Sequence, residues 1–159
     1  MINVKEYRSV FFQDEKSRLP QNHNEKRFFR SYISDVLDIK ITERLSNGKL
    51  IEVYYHETYI LEKVKDFHQT HYAEIPLVLF QTKSKNTIFI ETYKNYEFQL
   101  LEIFRFDEFR REKESLRFLD DYSLSQYNES IYANEQAEFP IKEKLFYPSL
   151  WQIHEEDMD

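Results

Sequence analysis

The stretch IPLVLFQTKSKNTIFIETYKNYEFQLLEIFRF, residues 75–106, decides the fold. It holds three apolar runs, 75–80, 87–93 and 96–106. The polar breaks Lys83-Ser84-Lys85-Asn86 and Lys94-Asn95 separate them. Short apolar runs bounded by turn residues read as strands, and three in succession read as the meander of an antiparallel sheet. With Lys94-Asn95 as a two-residue loop, Phe89 faces Leu100, Glu91 faces Phe98 and Ile88 faces Leu101. Both faces then carry apolar side chains, so both should be covered.

Upstream, Ile39, Ile41 and Leu45 alternate with polar residues, as do Ile51, Val53 and Tyr55. Ser46-Asn47-Gly48-Lys49 lies between them, a hairpin signal. A two-residue Asn-Gly turn would set Glu43 against Glu52. A three-residue loop with Gly48 as a left-handed bulge would set Ile41 against Val53 and Ile39 against Tyr55, and is preferred. Phe28, Tyr32 and Val36, flanked by Phe29, Ile33 and Leu37, recur at helical spacing and predict a helix over 24–37. Ile60, Val64, Phe67 and His71 predict another over 58–72, ended before Pro76. Asp107 reads as the N-cap of a third, 107–119, whose outer side pairs Asp107 with Arg111 and Arg110 with Glu114. A short helix is expected near Tyr127 and Ile131, stopped by Pro140. The apolar run 145–151 should dock on the body and leave an acidic tip from 154.

These elements predict one α+β domain over 1–159. Its mainly antiparallel sheet of about five strands (39–46, 49–56, 76–82, 87–93 and 96–105) carries the helices packed on it. The chain has a single glycine and no cysteine. A glycine-rich phosphate cradle, a disulfide framework, a thiolate metal site and a cysteine nucleophile are thereby excluded. The first residues carry charges throughout, and the longest apolar run is about six residues against the roughly 20 of a membrane helix. The reading is a soluble, cytoplasmic protein with no membrane contact.

Charge is distributed unevenly. Residues 1–120 hold 20 Lys and Arg against 20 Asp and Glu, whereas 121–159 hold 2 against 9, which gives the whole net charge of −7. An acidic C-terminal segment of this kind, 121–159, can serve as an interaction surface.

Three patterns could carry chemistry. Gln81-Thr82-Lys83 after a buried strand resembles the (D/E)…(E/Q)xK pattern of restriction-endonuclease-like nucleases. That resemblance implies a Mg²⁺ site at Gln81, a water-orienting Lys83, and an upstream partner acid for which Glu52, Asp66 and Glu74 are available, Glu52 being the one taken. His68 and His71, at i and i+3, suit a metal such as zinc only weakly. Basic residues from Lys83 to Arg117 are interleaved with acids, which argues against direct nucleic-acid binding. No motif demands a cofactor, and the balance points away from catalysis.

The acidic surplus, the abundance of tyrosine and the lack of a catalytic motif together point to a non-enzymatic inhibitor. It would be of the immunity or anti-defence kind, neutralising a basic protein such as a nuclease, toxin or defence effector. The expected contacts are Asp120, Asp121, Tyr122, Tyr127, Glu129, Tyr132, Glu135 and Glu138, with Glu155, Glu156 and Asp157 at the tip. The Mg²⁺-dependent nuclease is the alternative. Oligomeric state is not readable.

Overall fold

A computed structural model describes residues 2–58, 60–148 and 152–157, with backbone only for Ile2 and 152–157. It is mostly sheet. Among the described residues there are eleven strands and one helix: β1 (Ile2–Tyr7), β2 (Arg27–Ile33), β3 (Lys40–Ser46), β4 (Lys49–His56), α1 (Leu61–His71), β5 (Leu77–Ser84), β6 (Thr87–Lys94), β7 (Glu97–Phe106), β8 (Glu112–Leu119), β9 (Leu124–Ile131), β10 (Lys142–Tyr147) and β11 (Gln152–Asp157). Hydrogen-bonded neighbours follow chain order from β1 to β11. The sheet is mixed, because β4 and β5 run parallel with α1 as the crossover between them.

The expected helix-packed α+β fold with a five-strand sheet is therefore incorrect. The five expected strands exist, as β3 to β7, but six more join them. The segment read as helix 24–37 is β2 followed by a turn, and that read as helix 107–119 is a turn followed by β8. In β2 the i, i+4 spacing of Phe28 and Tyr32 is also an even spacing, which puts both on one strand face. Phe29 and Ser31 occupy the other. Aromatic and β-branched residues favour the extended chain where both faces are covered. Val36, placed on the expected apolar stripe, is 77% exposed. The short helix expected near Tyr127 is β9, and residues 145–147 belong to β10. The rest of that apolar run, 149–151, lies outside the described residues.

The chain divides into two compact units, residues 1–81 with 92–98, and residues 82–91 with 99–159. The first unit packs on both sides of β2 to β5. One side holds Tyr32, Ile41, Val53, Tyr55, Leu77 and Leu79 against Val64 of α1. Each of these pairs across the ladder: Tyr32 with Ile41, Ile41 with Tyr55, Tyr55 with Leu79, and Val53 with Leu77. The other side holds a polar chain. Ser31 and Thr42 share a hydroxyl hydrogen bond of 2.7 Å, and Thr42 meets His56 Nε2 at 2.8 Å. The segment after β1 lies on that side, with Gln13 accepting from the Ser31 hydroxyl and the Phe11 ring 6.3 Å from that of Phe80.

The β3–β4 hairpin follows neither simple register. Asn47 and Gly48 have φ of +51° and +78°, the two-residue turn in which both central residues are left-handed. Leu45 faces Leu50, but a bulge intervenes, and beyond it Arg44 faces Glu52, Glu43 faces Val53 and Ile41 faces Tyr55. The bulge resolves the clash that an unbroken register would create. Glu52 meets Arg44, Nη1 to Oε1 at 2.8 Å, instead of Glu43. The turn between β6 and β7 is Asn95-Tyr96, both at positive φ, one residue later than expected.

The second unit is an antiparallel succession without an α-helix among its described residues. Its strands β7 to β11 pair in order, and most side chains on β7 to β10 are half-buried on both faces.

Candidate functional site

The second unit gathers its functional side chains at one end of the β8–β9–β10 ladder. Two connections meet there, the 107–111 turn between β7 and β8 and the 132–141 loop between β9 and β10. Asp107 is not a helix cap. Its Oδ1 accepts from the backbone N–H of Phe109 (2.9 Å) and Arg111 (3.0 Å), closing a turn in which Arg110 has φ +61°. The expected Asp107–Arg111 pair does form, Nε to Oδ2 at 2.9 Å, but inside this turn. Burial works against ionisation of Asp107, and these hydrogen bonds outweigh it and hold its carboxyl below the usual value.

Arg111 then binds the other loop. Its Nη1 donates to the carbonyls of Asn134 (2.7 Å) and Ala137 (2.8 Å), and its guanidinium lies 4.0 Å from the centre of the Tyr132 ring. The Tyr132 hydroxyl donates to the Glu112 carbonyl at 2.7 Å. One guanidinium thus ties the two connections together through a carboxylate, two carbonyls and an aromatic face.

The surface so fixed is acidic and apolar. Phe139 is 77% exposed, Ile141 48% and Phe109 43%. Glu108, Glu135 and Glu138 are exposed on the same two connections, with one exposed cation, Arg110, beside Phe109. The ladder adds Glu114 facing Glu129, Glu129 facing Lys144, and Lys144 facing Glu155, with Glu143 facing Glu156 and Lys142 facing Asp157. Burial, with the charges of Glu143 and Glu102 added, raises the Glu112 carboxyl above its usual value against an opposing hydrogen bond from Ser115.

Not every expected contact lies here. Asp120, Asp121 and Tyr122 form the β8–β9 turn at the opposite end of β9, roughly 23 Å away along an eight-residue strand. Asp121 serves that turn, accepting from the Ser123 N–H (2.9 Å) and hydroxyl (2.6 Å). Tyr127 is committed inward. Its hydroxyl donates to Glu114 at 2.7 Å, which pushes the phenol up to about 12, and Arg105 holds the other Glu114 oxygen at 2.8 Å. Glu129, Tyr132, Glu135 and Glu138 belong to the acidic end by position, and Glu155, Glu156 and Asp157 by register. Sequence reading missed Phe109, Arg111 and Phe139.

The nuclease residues do not converge. Gln81 is buried and donates to the Thr58 carbonyl at 2.9 Å. Glu52 is taken by Arg44 and by the Tyr54 hydroxyl. Val53 pairs with Leu77 in the parallel ladder, so Glu52 and Gln81 project from opposite faces of the sheet. Lys83 has its ammonium 5.4 Å from the Phe89 ring centre.

Nor do the histidines form a pair. His68 is fully buried, its Nε2–H donating to the Ile75 carbonyl (2.6 Å) and its Nδ1 accepting from the Tyr55 hydroxyl (2.7 Å). Both nitrogens are occupied. His71 stacks on Phe67 with ring centres 4.2 Å apart, and its Nδ1 meets the Phe67 carbonyl at 3.0 Å. No group of three metal-ligating side chains occurs among the described residues. No helix among them is long and apolar enough to cross a membrane.

Compared with protein-family models, curated proteins and solved structures, the chain matches none. The functional reading therefore stands on geometry.

The first unit holds a second feature, a cleft of about 460 Å³ lined by residues of β2, β3, α1 and the 34–36 turn. Glu43 lies in it, 4% exposed, facing Arg30 across the β2–β3 ladder and accepting from its Nε at 2.7 Å. The Tyr72 hydroxyl donates to the other Glu43 oxygen at 2.8 Å and lies 2.6 Å from the Tyr32 hydroxyl. Burial, then hydrogen bonding to Tyr32 and Glu43, raises the Tyr72 phenol well above its ordinary value.

Proposed function

We propose that the acidic end of the second unit docks a basic partner protein, and that the chain is a non-enzymatic inhibitor working in the cytoplasm. The observation that carries this reading is the Arg111 clasp. It holds together the two connections that carry exposed Phe109, Phe139 and Ile141 with Glu108, Glu135 and Glu138. Exposed aromatic side chains bordered mostly by carboxylates match the anatomy of a specific interface, with apolar anchors at the centre and steering charge at the rim. A partner with a cationic groove, as a nuclease or other phosphate-handling effector has, is complementary to it. An immunity or anti-defence protein is the role that fits such a partner. The Asp120–Tyr122 turn falls outside the surface.

The test is capture of the partner from the native host with a crosslinkable residue placed at Ala137, followed by binding measurements on the purified pair. The reading expects a basic partner whose binding is weakened by Glu135→Lys with Glu138→Lys and unchanged by Asp120→Asn with Asp121→Asn. A captured partner that is neutral or acidic, or one indifferent to the first pair of changes, overturns it.

A further inference from the structure

The polar side of the first unit ends in a smaller cleft, of about 220 Å³, where β1 joins β2. Lys5 sits opposite Ser31, and Ser31 opposite Thr42, so the three share one face of the sheet. Tyr7 and Lys40, each two residues along its strand, share that face too. Within the lining, the Ser31 hydroxyl is spent, donating to Gln13 at 2.8 Å and meeting Thr42 at 2.7 Å. The Tyr32 hydroxyl is engaged with that of Tyr72. The Lys5 ammonium has no ion pair or hydrogen bond among the described residues. Nor has the Tyr7 hydroxyl, although Tyr7 is only 9% exposed. Lys40 has the Glu57 carboxylate as its electrostatic counterpart. The Asn3 amide, at the rim, offers a donor and an acceptor. No carboxylate lines the cleft. Glu6, between Lys5 and Tyr7, faces the other way, opposite Arg30, and meets His23 Nε2 at 3.1 Å. With Glu57 counted in full against Lys40, the charge of Lys5 is still unanswered. Burial lowers the Lys40 ammonium below its ordinary value, and Glu57 opposes that without cancelling it.

We propose that this cleft binds a phosphate group, free or carried on a small ester. A phosphoryl group brings three strong acceptor oxygens and more than one negative charge at pH 7. Two ammoniums and a phenol O–H answer them, and lysine holds phosphate as a point charge. A carboxylate brings one charge and two oxygens, and leaves part of that donor set unused. A cation meets two like charges. The volume lies below the roughly 300 Å³ of an ordinary small-molecule pocket, which suits the group itself with a short stem at most. The assignment concerns the first unit alone and does not depend on the partner-binding reading.

Titration of the full chain with inorganic phosphate and with methyl phosphate at constant ionic strength, followed by amide chemical shifts, tests this. Acetate and methylammonium serve as the carboxylate and cationic controls. Saturable shifts centred on residues 3–7, 31–33 and 40 are expected with both phosphates, with weaker binding of acetate and none of methylammonium. Lys5→Gln should weaken phosphate binding roughly tenfold and Tyr7→Phe roughly threefold, whereas Lys49→Gln, a lysine outside the cleft, should change nothing. Tyr7→Phe should also leave the urea midpoint unchanged, because its hydroxyl has no partner in the protein to lose. Absence of saturation with both phosphates overturns the assignment. So does acetate binding as tightly as phosphate, or a Lys5→Gln variant no weaker than Lys49→Gln.

Discussion

Arg111 lies with its guanidinium 4.0 Å from the Tyr132 ring centre while donating to two carbonyls of the loop that Tyr132 begins. A single side chain therefore decides whether the 107–111 turn and the 132–141 loop act as one surface. Arg111→Ala removes the stacking, the Asp107 ion pair and both carbonyl bonds. The expected cost is about 2–3 kcal/mol of stability, since the carboxylate and carbonyls lose partners together. Amide exchange should accelerate across 132–141 more than in β2 to β4. Arg111→Lys should recover only part of the loss, because a point charge cannot reproduce the planar fork. Urea unfolding and hydrogen exchange read both outcomes.

Glu43 and its tyrosines give a graded series. Tyr72→Phe strips one oxygen of a 4%-exposed carboxylate of its donor, and should cost about 1–3 kcal/mol. Tyr32→Phe removes only the far end of the chain and should cost less, about 0.5–1.5 kcal/mol. If the chain is coupled, the double variant should cost less than the sum of the singles. Denaturant midpoints of the three variants decide the order.

Gly48 isolates a backbone effect. Its φ is +78°, and a Cβ built there would meet no atom within 4 Å. Gly48→Ala should therefore cost about 1–2 kcal/mol through the left-handed conformation alone. Gly48→Asn should cost less, because Asn tolerates that region. Comparison of the two unfolding midpoints checks this.

Stability should fall on mild acidification. His56 and His68 are buried, and burial lowers both below the ordinary imidazole value, that of His56 strongly. The unfolded chain then binds protons that the folded chain refuses. The stabilisation is complete above about pH 6.5, the unfolded value, and declines as pH drops from there toward the folded values. Each histidine contributes a slope of at most about 1.4 kcal/mol per pH unit in that window. Urea midpoints at pH 7, 6 and 5 measure the slope, and His56→Gln should flatten it.

Much of the fold was legible where turn residues bound the apolar segments or one period fits them alone. The hairpin 40–56 and α1 declare themselves by period, and the meander 77–106 by apolar runs between polar turns. β2 and β8 did not. In β2 both faces are covered, so apolar residues fall at consecutive positions, and neighbours four apart imitate a helix. At Asp107 the side chain closes a turn with the same residues that would cap a helix, and local sequence cannot separate the two. Glu43 was readable: it shares the parity of Ile41 and Leu45, which already marks it as an inward carboxylate. The acid count found Glu135 and Glu138, but Arg111 could not be found this way. Its partners are backbone carbonyls more than 20 residues away, and carbonyls carry no sequence signal. Phe139 was visible as an aromatic beside Pro140 in a segment without period, and was set aside only because a helix was expected there.

The most direct measurement is calorimetric titration of the captured partner into the wild-type chain and into Phe139→Ala. A partner anchored at the acidic end should lose roughly thirtyfold or more in affinity on truncation of this one exposed ring. Its wild-type affinity should also decline with added salt, as charge steering requires. Equal affinities for the two chains, at a binding strength insensitive to salt, would contradict the account.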